Sequence, residues 1–243
     1  MANFWQIVNK IITESDIVVE VIDARMIDET RNIELENKIN SADKKILYAI
    51  NKCDLVDKEY LENIKKKLKP SVFVSAKKFY GITMLREKIM ELSKGKECIV
   101  GIVGYPNTGK SSLINSLSGR SKAPTGHEAG KTKGMQHIKA GNKIMLIDTP
   151  GVLPYKENDE MQLALIGSKN PQQMEYPDLV ALKIIEILKG KCEAFYGAQS
   201  GKDNEETLEN VGKKLNKLRK GGEIDIRNTS VKIIQDWQRG KFN

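Results

Sequence analysis

"GYPNTGKS", Gly104 to Ser111, sets two glycines, a lysine and a hydroxyl at the spacing Gly-Xaa4-Gly-Lys-Ser. It follows an apolar run, "CIVGIVG", and opens a helical pattern, "KSSLINSLSG". In that context the stretch can hold phosphates. Its glycines let backbone N–H groups curl around phosphate oxygens without a Cβ in the way, and the helix N-terminus adds a favourable dipole. The candidate phosphate-binding residues are Asn107, Thr108, Gly109, Lys110, Ser111 and Ser112. Lys110 would neutralise β- and γ-phosphate charge, and Ser111 would bind Mg²⁺.

"DTPG", Asp148 to Gly151, ends a later apolar run. Asp148 can hold the same Mg²⁺ through a water, and the Gly151 N–H can reach a γ-phosphate oxygen. Between the two motifs lies a polar stretch, "SKAPTGHEAGKTKG". Its Thr132 is the natural second hydroxyl for Mg²⁺, ahead of Thr125 as the competing choice.

"NKCD", Asn51 to Asp54, is suited to reading a base. The Asp54 carboxylate offers two acceptors to the N1–H and 2-amino group of guanine; adenine would leave it unpaired. That loss is costly enough to select GTP and GDP over their adenine counterparts. Asn51 would brace the loop and reach the base edge, while the Lys52 stem would cover the ring. "VSAKK" (74–78) follows at another strand end. There Ser75 and Ala76 would point an N–H at guanine O6, with Lys77 over the base.

The elements that must position these motifs are short and buried. "DIVVEVID" (16–23), "KILYAIN" (45–51), "SVFVS" (71–75), "CIVGIVG" (98–104) and "KIMLIDT" (143–149) are apolar enough for strands covered on both faces of a parallel sheet. "MQHIKAG" (135–141) is more polar, suits an edge, and leads through Gly141-Asn142 into a hairpin. Helical patterns lie between. Residues 2–13 carry Phe4, Trp5, Val8, Ile11 and Ile12 as a stripe; "DKEYLENIKKKLK" buries Leu61, Ile64 and Leu68; "TMLREKIMEL" begins at Thr83 as a cap candidate. Beyond about residue 155 the strands stop. Three helical patterns follow, punctuated by Gly190 and Gly221-Gly222. The expected class is α/β: a mostly parallel six-stranded sheet over residues 1–158, then a small all-α domain over 159–243.

The chain has 243 residues, a net charge of +8 and three well-separated cysteines. The length suits one domain plus a small second one. The cysteine pattern points to a reducing, cytoplasmic compartment and away from a disulfide or zinc framework. No stretch approaches the ~20 apolar residues of a membrane span, and the N-terminus has no signal-peptide pattern. The positive charge favours an anionic partner such as nucleic acid.

The five motifs are those of Ras-type GTPases in rotated order, with the base readers before the phosphate loop. In this the chain resembles the circularly permuted GTPases of ribosome assembly, the YlqF/RbgA-like group. "DARMIDETRN" (23–32) is similar to the Asp-Ala-Arg loop of that group, and the basic tail is similar to its C-terminal domain. The group usually has a proline after Asp-Ala-Arg-Xaa; here Ile27 and Asp28 follow Met26, which leaves the loop's role open. The resemblance implies GTP hydrolysis coupled to maturation of the large ribosomal subunit, with that precursor and its rRNA as partners; the free protein is expected to be a monomer.

The permutation rejoins the old termini at "SKGKE" (93–97) and runs the γ-phosphate sensor straight into the helical domain. Nucleotide state is therefore expected to set the angle or order of residues 160–243. Val152 and Leu153 stand where Ras-type enzymes place a water-orienting Gln, so turnover should be slow alone. Lys110, Thr132, Gly151 and Asn107 are the expected catalytic set. Asn107 occupies the position that helps bind K⁺ in related GTPases, and a group supplied in trans by the ribosomal particle is the other repair. His127 and His137 read as solvated residues, and Trp237 as core. "KKLNKLRKGG" (213–222), with Lys232, Arg239 and Lys241, is the choice for rRNA phosphates, whereas "IKKKLK" (64–69) reads as a solvated face. Two other readings stay open: a GTP-sensing adaptor with little hydrolysis, and a GTPase for another RNA client such as tRNA modification.

Overall fold

Seven consecutive residues, Ile17–Asp23, are all buried and form β1. Their β-branched side chains pack on both faces, which only a central strand with helices on either side allows. The computed structural model that shows this describes residues 2–119, 136–148 and 160–242. The chain divides into two compact units, Met1–Pro154 and Tyr155–Asn243.

In the first unit α1 (Ala2–Glu14) precedes β1, and α2 (Ile27–Thr30) and α3 (Ile33–Ser41) follow it. Then come β2 (Lys45–Asn51), α4 (Lys58–Lys67), β3 (Ser71–Phe73), α5 (Ile82–Leu92), β4 (Cys98–Val103), α6 (Lys110–Ser118), β5 (Gln136–Lys139) and β6 (Ile144–Asp148). The sheet has six strands in the order β3-β2-β1-β4-β6-β5. All neighbours are parallel except the β5–β6 hairpin at one edge. The six strand regions and the polar edge thus stand as their hydrophobic patterns indicate.

On one face Val19, Val21 and Ala49 pack against Leu85 and Ile89 of α5 and Leu113 and Leu117 of α6. On the other, Ile22, Tyr48 and Ile50 pack against Ile64 and Leu68 beside α4. This second face also buries Glu20 of β1, whose Oε1 accepts the Asn32 N–H at 2.8 Å. Burial foremost, with Glu36 nearby, pushes the Glu20 carboxyl up to about 8 against the Asn32 bond and the Arg31 charge. Asn32 in turn caps α3, accepting from the Leu35 N–H at 2.8 Å.

Two local expectations are corrected. Thr83 does not cap α5; the helix begins at Ile82 with Gly81 as its cap at φ +72°. A Cβ at Gly81 would stand 2.1 Å from the Phe73 carbonyl oxygen, so the approach of the helix to β3 demands glycine there. The helical pattern does not run on through the basic stretch 213–222. Its first two residues end a helix, and the rest turns back so that Leu218 bridges Ile224.

The second unit holds α7 (Glu160–Leu165), α8 (Pro177–Leu188), α9 (Lys191–Tyr196), α10 (Asn204–Lys214) and α11 (Ile226–Gln238). Asp203 and Asp225 cap α10 and α11 by accepting backbone N–H groups at 2.8 and 3.0 Å. Trp237 is buried and donates its indole N–H to the Leu165 carbonyl at 2.9 Å, which makes it core. Buried Asp236 accepts Lys232 at 2.8 Å, Lys241 at 2.9 Å and the Tyr196 hydroxyl at 2.9 Å. Half-buried Lys232 and exposed Lys241 are thereby paired within this unit, as Arg219 is with Asp225 at 3.7 Å. Lys213, Lys214 and Arg219 remain exposed.

Candidate nucleotide site

β2 and β4 both end at the same edge of the sheet, and the candidate site is built on those two ends. From β4 the chain passes Gly104 into the phosphate loop and then α6. The Lys110 ammonium lies inside that loop, donating to the carbonyls of Gly104 and Tyr105 at 2.7 Å each. Thr108 Oγ1 also donates to the Tyr105 carbonyl, at 2.9 Å. Asn107 sits at φ +60° and Gly109 at φ +99°. The curl therefore presents the lysine and the N-terminus of α6 together, as an anion site requires. Ser111 and Ser112, in the first turn of α6, are half-buried.

From β2 the chain passes Asn51 into Lys52, Cys53 and Asp54. The Asn51 side chain donates its Nδ2–H to the Thr108 carbonyl at 2.8 Å, and its Oδ1 accepts the Ala76 N–H at 3.0 Å. One carboxamide thus binds the base motif, the phosphate loop and the Ser75–Lys77 loop together. Ser116 of α6 adds a second tie, donating to the Ala76 carbonyl at 3.0 Å. Asp54 Oδ2 meets the Lys78 ammonium at 3.2 Å. Burial works against the Asp54 charge, but hydrogen bonds from Ser75 and Lys78 prevail and hold its carboxyl below the usual range. Asp54 is thus held as an anion, with Ser75 and Lys78 on its carboxylate. Lys77 is exposed.

These contacts correct two expectations. The Ala76 N–H is held on Asn51 and is not aimed at a base carbonyl. Asn51 spends its amide on bracing and not on the base edge. The Lys52 Nζ donates to Asp23 Oδ2 at 2.7 Å, so the far end of that side chain is tied. Asp23, Ser116 and Lys78 are contributors that motif spacing did not reveal. Asp23 had a signal, its place in the Asp-Ala-Arg loop; Ser116 had none beyond helical spacing.

Thr125, His127, Thr132, Gly151, Val152 and Leu153 lie outside the described residues, as does the side chain of Asp148. The backbone of Asp148 ends β6, which runs beside β4 with Ile147 opposite Gly101. Serine and aspartate are residue types that supply hard oxygen donors, the chemistry Mg²⁺ takes. Among the described residues no helix is long and apolar enough to cross a membrane. Cys53, Cys98 and Cys192 are free and buried.

Comparison with known proteins agrees with this geometry. Residues 99–219 match the family described as 50S ribosome-binding GTPase. The chain is 44% identical, over 98% of its length, to a GTP-binding protein of Methanocaldococcus jannaschii, and covers 65% of that protein. It is 32% identical over 98% of its length to nucleolar GTP-binding protein 2 of Saccharomyces cerevisiae, and covers 52% of that protein. Among solved structures, GNP-bound YlqF from T. maritima superposes with a TM-score of 0.66 at 26% identity, covering 98% of this chain and 94% of the other. Its GDP-bound form gives a TM-score of 0.64 at 25% identity. The base motifs thus stand ahead of the phosphate loop, residues 99–219 match the 50S ribosome-binding GTPase family, and along almost its whole length the chain is similar in fold to YlqF.

Proposed function

We propose that the chain binds and hydrolyses GTP and acts in assembly of the large ribosomal subunit. The observation that carries this is the Asn51 carboxamide, which joins a phosphate loop to a guanine-reading motif 57 positions away. The brace holds both motifs at one place, as a ligand with a base at one end and phosphates at the other needs, and a guanine nucleotide has that shape. Asp54 reads the base, Asn51 and Ala76 hold the reading loops in place, and Lys110 and the α6 N-terminus face the phosphates. Ser111, Asp148 and Thr132 are assigned to Mg²⁺, which would supply charge neutralisation at the β- and γ-phosphates. Gly151 is assigned to sensing the γ-phosphate. Lys52, Ser75 and Lys77 complete the base side; Thr108, Gly109 and Ser112 complete the phosphate side.

With Val152 and Leu153 after the sensor, turnover is slow alone. K⁺ held near Asn107, or a group from the ribosomal particle, restores the missing transition-state charge. The helical unit, residues 159–243, presents Lys213, Lys214 and Arg219 to rRNA phosphates, and nucleotide state sets its order. The protein works in the cytoplasm and is monomeric when free. Support comes from the description of the matched family, from the name of the yeast relative, a nucleolar GTP-binding protein, and from the basic charge.

Co-sedimentation of the purified protein with large-subunit precursors, with GDP and with a non-hydrolysable GTP analogue, tests this. Association that strengthens with the analogue, together with GTP turnover that rises on adding the particle, is the expected result. Equal uptake of ATP and GTP, or recovery on tRNA in place of subunit precursors, would overturn it. Similar hydrogen exchange in residues 160–243 in both nucleotide states would remove the repositioning.

A further inference from the structure

We propose that Asp23 is a positioning residue for nucleotide binding, fixing the Lys52 ammonium so that the lysine stem is already set where it covers the guanine ring. This rests on the reading of residues 51–54 as the base motif and gives the Asp-Ala-Arg loop a task within it.

Asp23 is the last residue of β1 and lies directly opposite Asn51 of β2. The next residue continues the join: the Ala24 N–H donates to the Asn51 carbonyl at 2.8 Å. The Asp23 carboxylate is 2% exposed and fully engaged. Oδ1 accepts the Arg25 N–H at 3.1 Å and Arg25 Nε at 3.0 Å. Oδ2 accepts Arg25 Nη2 at 2.7 Å and Lys52 Nζ at 2.7 Å. The Asp23 N–H is itself held by Thr30 Oγ1 at 3.0 Å. So the arginine fork orients the carboxylate, and the carboxylate orients the lysine.

A lysine left to itself explores many rotamers, and a ligand that needs one of them loses affinity in selecting it. Here the far end of the chain is tied before a nucleotide arrives. Lys52 stands at φ +60°, a conformation that few bulky residues adopt and that the surrounding contacts must sustain. Burial, with the neighbouring Arg25 charge, disfavours the Lys52 ammonium, and Asp23 is what opposes them. With Asp23 neutral, Arg25 and Lys52 would repel, and the lysine stem would swing away from its place.

The test is a double-mutant cycle on GDP affinity, read by titration of a fluorescent guanine nucleotide with thermal unfolding of the nucleotide-free proteins alongside. The variants are Asp23→Asn, Lys52→Met and the pair together. Asp23→Asn and Lys52→Met are each expected to weaken GDP binding about tenfold, and the pair to bind no worse than Lys52→Met alone. A merely structural Asp23 would give losses that multiply. Asp23→Asn binding within twofold of the unaltered protein, or multiplying losses, overturns the proposal. Should Asp23→Asn fail to fold, Asp23→Glu takes its place: it keeps the charge, displaces the ammonium, and is expected to weaken binding only where Lys52 is present. If the unaltered protein itself takes up no GDP, the base-motif reading falls first; if it binds and the coupling is absent, only the role of Asp23 falls.

Discussion

Asn51 Nδ2 lies 2.8 Å from the carbonyl oxygen of Thr108, and both groups are buried. With the Ala76 N–H on its other end, this amide is the point where three separate loops become one site.

Losing that point leaves two backbone groups unsatisfied, each at about 1–3 kcal/mol. Asn51→Ala is expected to lower both thermal stability and GDP affinity, the latter at least about tenfold. Gly109→Ala should act on the same contact, because a Cβ there would stand 2.2 Å from Asn51 Nδ2. The two losses should not add: without the Asn51 side chain only the strain of φ +99° remains. GDP titration of the two single variants and the pair checks this.

Asp54→Asn should change the base that is bound. An amide presents one acceptor and one donor where the carboxylate presented two acceptors. Xanthine, with N1–H and O2, matches that pattern. GDP affinity should fall by roughly a hundredfold or more and xanthosine diphosphate should gain, as competition titration would report.

Glu20→Gln should give a stability gain that grows with pH. The folded protein holds the Glu20 proton up to about 8, whereas the unfolded chain releases it near 4.5. Between those values the unfolded state binds fewer protons, so stability falls as pH rises, and the deficit is complete above pH 8. Removing the titration removes a deficit on the order of 4 kcal/mol. Glutamine retains the acceptor for the Asn32 N–H. Melting temperatures of the two proteins from pH 4.5 to 8.5 should diverge and then run parallel; a constant difference would contradict the buried-acid account.

If the lysines and arginine of 213–219 meet RNA phosphates, RNA affinity should fall steeply with salt. Neutralising Lys213, Lys214, Lys217 and Arg219 together should flatten the log–log slope by up to about three, roughly 0.7–0.9 per lost contact. Neutralising Lys232 should leave the slope unchanged and lower stability, since its partner is buried Asp236.

The sheet was readable in the sequence because strands buried on both faces are apolar throughout, as in "IVVEVID" and "CIVGIV". The phosphate loop was readable because its chemistry is local: all its residues lie within one turn. What escaped was set by neighbours distant along the chain. Asp23 meets Lys52 only through the parallel register that aligns Asp23 with Asn51. Gly81 rather than Thr83 starts α5 because of a carbonyl on β3. Helical spacing runs on past Lys214, yet Asn216 at φ +52° and the Arg219 N–H on the Glu223 carbonyl at 2.8 Å reverse the chain. Lys232 and Lys241 look like part of a basic cluster until the fold puts Asp236 between them.

The strand order also bears on how the polypeptide matures. Its first strand lies in the middle of the sheet, and its partner on one side, Val100–Val103, comes only after β2 and β3 have been laid down on the other. Until then a greasy row of unpaired amides, Ile17 to Glu20, stays open to any passing strand. A nascent chain halted before Val100 should therefore be the form that aggregates.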